Sequence, residues 1–186
     1  MLTAGWTLVT QKYTKDFTSF ALAKNPHLLG REKEFEAMQS ALLKKENNNV
    51  LLIGEMGGGK EALVEKLALA SFSGQTEKGL QHKKILELMV GPLIAGASDR
   101  GQLEVRLQAL IEEISHARNI ILYIPEFHDL LGSSSFEMDL SGALYPYLQD
   151  GNLPIIATIT DGKYKQFLEG KPLTQVFSPI HVNSPK

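Results

Sequence analysis

The sequence predicts an α/β domain built as a three-layer sandwich, with a five-stranded, mostly parallel sheet and helices on both faces. Three observations carry this. The strand candidates are unbroken apolar runs, amphipathic helical windows separate them, and a glycine-rich turn joins the first run to a helix. Strands that are apolar throughout are buried on both faces, and intervening helices let successive strands run parallel.

The elements follow in order. Residues 1–24 stand outside the alternation and read as an arm packed on the domain through Tyr13, Phe17 and Phe20; residues 25–186 form the domain itself. A helix over 32–45 places Phe35, Met38, Leu42 and Leu43 on one face. A polar turn opens a strand over 47–53, and a helix over 60–72 follows the glycine-rich turn. Residues 71–84 are polar and read as a surface connection. Strands over 85–90 and 120–124 flank a helix over 102–116, whose Leu103, Leu107, Leu110, Ile111 and Ile114 share a stripe. A helix over 137–148 and strands over 154–158 and 176–182 complete the pattern. Sheets of this kind bind ligands beyond the carboxyl ends of their strands.

Composition narrows the function. A chain of 186 residues fits one domain. With 43% hydrophobic and 22% charged residues it matches ordinary soluble proteins. A net charge of −2 creates no field drawing it to nucleic acid or an anionic membrane. The absence of cysteine removes disulfides, thiol catalysis and cysteine metal sites, and fits a reducing compartment. No stretch approaches the ~20 apolar residues of a membrane span, and the first fifteen residues or so do not read as a signal peptide. A cytoplasmic protein without membrane or nucleic-acid partners is the expectation.

The strongest motif is Gly54-Glu55-Met56-Gly57-Gly58-Gly59-Lys60, which matches G-x-x-x-x-G-K between a strand and a helix. The glycines let backbone N–H groups turn toward phosphate oxygens, the helix start adds partial positive charge, and Lys60 reaches the terminal phosphates. The other reading is a glycine-rich turn with a chance lysine. The next residue is Glu61, where the motif calls for the Ser or Thr hydroxyl that holds magnesium. A carboxylate there could bind the metal, or it could favour the helix dipole and pair with Lys60. Beside a phosphate it is repelled: unit charges ~5 Å apart at an effective dielectric of ~20 cost about 3 kcal/mol.

From Leu8 to Pro185 the chain resembles the first AAA+ module of the Clp-type unfoldases. The resemblance is carried by Lys12-Tyr13-Thr14-Lys15-Asp16-Phe17, Leu29-Gly30-Arg31-Glu32-Lys33-Glu34, Leu51-Leu52-Ile53-Gly54-Glu55, Leu93-Ile94-Ala95-Gly96-Ala97, Arg100-Gly101, Ile120 to Ile124 with Glu126 and His128, and Ala157-Thr158. It implies ATP or ADP at a subunit interface, other AAA+ subunits in a hexameric ring, and a protein substrate threaded through it. In the family a small helical lid follows the large α/β subdomain, whereas this chain stops at Lys186, as an excised fragment or a minimal module. The expectation for the isolated chain is a monomer or a weak oligomer.

The same resemblance exposes departures. Where the family's second acidic motif has Asp-Glu, this chain has Pro125-Glu126, so the metal-holding aspartate is gone. Glu126 occupies the position that orients the attacking water, or is a solvated carboxylate at a strand end. Thr158 stands where the family keeps a γ-phosphate sensor, with Thr160 a near rival. The paired arginines before the last strand are replaced within Thr174-Gln175-Val176-Phe177, and the substrate-gripping aromatic by Asp99. An arginine finger is worth roughly 10³–10⁵ in rate. The expectation is therefore a degenerate module that binds nucleotide, with weak Mg²⁺ through Glu61 at most, in a structural or regulatory role. An active ATPase using Glu61 and Glu126, and a nucleotide-free interaction domain, are the alternatives. Outside this region, His27, His82, His116, His128 and His181 lack metal-ligand spacing. Ser133-Ser134-Ser135 reads as a flexible loop with a helix cap, and Lys163, Lys165 and Lys171 as a solvated basic face.

Overall fold

The unbroken apolar runs become sheet strands buried on both sides. In the computed structural model, which describes residues 8–25, 30–132 and 138–183, the elements run α1 (Leu8–Tyr13), β1 (Thr14–Asp16), α2 (Phe17–Lys24), α3 (Glu32–Leu42), β2 (Asn49–Ile53), α4 (Lys60–Phe72), β3 (Lys84–Leu88), α5 (Val90–Ile94) and α6 (Arg100–Ala117). They continue through β4 (Ile120–Ile124), α7 (Ser141–Gln149), β5 (Ile155–Ile159), α8 (Asp161–Phe167) and β6 (Ser178–His181). The strand order is β1-β3-β4-β5-β2-β6. All pairs are parallel except β1 with β3, where Thr14 faces Leu88 and Asp16 faces Leu86.

Each central strand divides its side chains between two cores. Val50, Leu52, Ile121, Tyr123 and Ile156 pack with α2, α3 and α4 on one face. Leu51, Ile53, Leu122, Ile124, Ile155 and Ala157 pack with α6 and α7 on the other. The stripe read along α6 is buried as a unit.

The sheet has six strands among the described residues, one more than expected. The extra strand, β1, comes from the N-terminal arm and seals the β3 edge. Its Thr-Lys-Asp sequence has no apolar run, so only the pairing reveals it. Tyr13 and Phe17 of the arm are buried, but Phe20 is 46% exposed, its ring centroid 5.6 Å from that of Phe17. Helix α3 ends at Leu42, so Leu43 leaves the apolar face and is exposed. Helix α7 begins at Ser141, because Asp139 instead bridges back to Leu131. The triple serine 133–135 lies outside the described residues. The polar connection after α4 is anchored: Ser71 Oγ donates to Leu80 O at 2.6 Å and accepts from Lys83 N at 2.8 Å, over a buried Leu80. None of the helices in the described residues is long and apolar enough to cross a membrane.

Candidate functional site

At the carboxyl end of β2 the chain enters the glycine loop. Gly57 and Gly59 take φ of +76° and +100°, the left-handed region that side chains resist. Gly54 answers a different demand: a Cβ there would overlap the Val182 carbonyl oxygen, where the chain leaving β6 passes over the loop. The Gly58 N–H donates to Glu55 O at 3.0 Å and closes the turn. Arg31 ties the loop from outside, its Nη2 donating to Gly58 O at 2.8 Å and Asn183 O at 2.7 Å. Lys60 Nζ donates to Gly54 O at 2.6 Å and Glu55 O at 2.7 Å, so it is committed to loop carbonyls and not to Glu61. Burial lowers the Lys60 pKa from the ordinary lysine value, while the nearby Asp161 carboxylate opposes that shift. Glu55, Met56 and Gly57 are exposed at the tip, and Glu61 is exposed in the first turn of α4, where a negative charge suits the dipole.

The opposite wall comes from the ends of β4 and β5. β4 ends at Ile124, so Pro125 falls just past the ladder and removes no strand hydrogen bond. Glu126 follows at φ 49°, exposed, and its N–H donates to Thr158 Oγ1 at 3.3 Å. The two threonines part company here. Thr160 caps α8 by accepting from Lys163 N at 3.4 Å, while the buried Thr158 accepts from Glu126 N.

These walls enclose a cleft of about 570 Å³ lined by Met56, Gly57, Gly59, Lys60, Glu61, Glu126 and Thr158 from the sequence reading. Gly54 and Gly58 lie beneath it as buried supports, and Glu55 stands at its exposed edge. The cleft also contains residues that sequence reasoning missed: Lys24, Glu65, Tyr123 and Lys163. Lys24 Nζ lies 2.7 Å from Glu65 Oε1, a carboxylate only 2% exposed, so the arm is pinned to α4. The hydrogen bond to Glu65 raises the Lys24 pKa. No sequence signal marks a pair 41 residues apart. His128, read as scattered, lines the same cleft beside Phe167.

Two departures lie elsewhere. Asp99 is the N-cap of α6, its side chain accepting from Gln102 N at 2.9 Å. Near the last strand Gln175 is exposed, while Val176 is buried in the core.

Known proteins decide the family. No family model matches the chain. Over 178 residues it is 39% identical to the chaperone protein ClpB of Helicobacter hepaticus, covering 94% of this chain and 21% of that protein. ClpB of Mesorhizobium japonicum is 38% identical over 180 residues, again covering 94% of this chain and 21% of that protein. Among solved structures, an Hsp104 chain in a closed-state reconstruction with ATPγS and FITC casein superposes with a TM-score of 0.84 at 31% identity, covering 96% of this chain and 31% of that one. The chain carries a Clp-type AAA+ module. An S. cerevisiae Hsp104–ADP complex matches at a TM-score of 0.80 and 30% identity, covering 95% of this chain and 25% of that one. The AAA+ module thus spans about a fifth of the length of its curated relatives.

Among the described residues no group of three or more His, Asp or Glu side chains is placed to hold a metal. P-loop magnesium takes few protein ligands, keeping water and phosphate oxygens as its others. Of the carboxylates lining the cleft, Glu65 is paired with Lys24, Glu61 and Glu126 are exposed, and Pro125 offers no side-chain oxygen.

Proposed function

We propose that this module binds adenine nucleotide at the Gly54–Lys60 loop but hydrolyses it slowly or not at all, serving as a structural or regulatory subunit of a Clp-like chaperone ring. The observation that carries the reading is an asymmetry within one cleft. The phosphate-facing loop keeps its positive-φ glycines and an inward Lys60, while the wall opposite presents Pro125 between Ile124 and Glu126. Backbone N–H groups, the α4 N-terminus and Lys60 hold phosphates without a metal. A magnesium ion, when bound, would neutralise phosphate charge, and Glu61 is the residue in reach of that role. Glu126 would be left to orient water with little help from metal. The stretch Thr174-Gln175-Val176-Phe177 itself carries no cation to serve a neighbouring subunit's site. The ring neighbours are other AAA+ subunits and the client is a protein chain, as the resemblance to ClpB and Hsp104 supports; the isolated chain is a monomer or weakly associating.

Steady-state phosphate release tests this. Release far below one turnover per minute, unchanged in Glu126→Gln, is expected. Turnover near one per second that Glu126→Gln abolishes would establish instead an active ATPase driving protein remodelling. That second reading is favoured by one observation, namely that Glu61 and Glu126 line the same cleft. If millimolar nucleotide gave neither heat nor thermal shift, the module would be a nucleotide-free interaction domain.

A further inference from the structure

Lys163 of α8 belongs, in the sequence, to a solvated basic face, yet it lines the cleft beside Glu126, His128, Thr158 and Thr160. Three described lysines line this space, and the protein uses each differently. Lys24 meets the buried Glu65 carboxylate at 2.7 Å. Lys60 donates to the loop carbonyls of Gly54 and Glu55. Lys163 has neither kind of partner among the described residues: its Nζ stands 5.6 Å from the centroid of the Phe167 ring, one turn further along α8. That ring lies at 23° to the His128 ring, with centroids 6.4 Å apart.

A lysine over an aromatic face is held by the ring's field and keeps its three N–H donors for another partner. Its backbone is anchored too, since Lys163 N donates to the Thr160 cap directly after β5. Glu61 and Glu126 line the same space and would repel a phosphate, so a cation on the Glu126 wall decides whether an anion fits there. We propose that Lys163 is a phosphate ligand, its ammonium meeting the terminal phosphate of a nucleoside triphosphate from the wall opposite Lys60. It supplies from the protein positive charge that a metal otherwise brings to that end of a polyphosphate. A diphosphate ends short of it, so the contact favours triphosphate over diphosphate even without magnesium. This inference rests on the nucleotide reading of the cleft.

Calorimetric titration in EDTA with ATPγS and with ADP tests it, on wild type, Lys163→Met and Lys165→Met. Lys163→Met removes the charge and keeps a long apolar stem beside Phe167. It should weaken ATPγS binding about tenfold, the scale of one charge-assisted hydrogen bond, and leave ADP binding within about twofold. Lys165 is exposed on the same helix and outside the cleft. Its loss should change neither nucleotide by more than about twofold, which separates contact from a general loss of positive charge. ATPγS binding unchanged in Lys163→Met, an equal loss for both nucleotides, or an equal loss in Lys165→Met would overturn the inference while leaving the nucleotide reading intact. A wild-type chain that binds neither nucleotide would overturn both.

Discussion

The two walls of the cleft are under different demands. On the β2–α4 side the fold itself requires the loop. Gly54 must admit the Val182 carbonyl, and Arg31 needs the Gly58 carbonyl to join α3 to the chain leaving β6. On the β4–β5 side nothing structural fixes the residue after Ile124, because the ladder has already ended there. Packing constrains the glycine loop, while the sheet ladder places no such constraint on Pro125. Pro125 costs the sheet little and offers the cleft no side-chain oxygen.

Gly54→Ala should separate fold from ligand most sharply. The added methyl has no room beside the Val182 carbonyl, so the chain leaving β6 must move; a loss on the order of 3 kcal/mol in urea unfolding is expected. Lys60→Met should do the reverse. Its loss removes the ammonium from the cleft and should weaken ATP on the order of a hundredfold by calorimetry, while giving up its two loop hydrogen bonds costs far less stability than the Gly54 methyl. Equal loss of stability in both variants would erase the contrast between the loop's structural and ligand-facing parts. On the other wall, Pro125→Asp combined with Glu61→Thr should raise magnesium-dependent ATP affinity about tenfold. Phosphate release should stay low without a cation near Gln175. No gain in affinity would show that these positions do not limit metal use.

The smallest effect lies far from the cleft, at the arm. Asp16 caps α2; burial pushes its pKa up, but the Ser19 N–H, the Ser19 hydroxyl and Lys84 together hold it below the ordinary carboxylate value. A carboxylate depressed in the folded state stabilises fully above its unfolded pKa and loses that contribution as pH falls through the folded value. Asp16→Asn should therefore lower stability modestly at pH 7, where the carboxylate's contribution is fully present, and flatten the further loss below about pH 4. A variant whose acid profile matches wild type would contradict this.

What could be read from the sequence follows from which signals are contiguous. β2, β4 and β5 were legible because burial on both faces leaves an unbroken apolar run, and the glycine loop because its seven residues are adjacent. β1 was not, since a three-residue polar edge strand has no pattern of its own. Leu43 satisfied the helical spacing but fell beyond the last turn of α3. Thr158 and Thr160 look equivalent in the sequence; capping of α8 distinguishes them only in three dimensions. Lys24–Glu65 and Glu126–Thr158 are contacts between distant segments, invisible until the sheet places them together.

The sharpest test of a cleft that grips phosphates while doing little with metal is ATP affinity in excess magnesium against affinity in EDTA, by titration calorimetry on the wild-type chain. The account predicts measurable binding in both, differing by no more than about threefold, which is under 1 kcal/mol. Binding that magnesium strengthens a hundredfold, or that vanishes in EDTA, would contradict it.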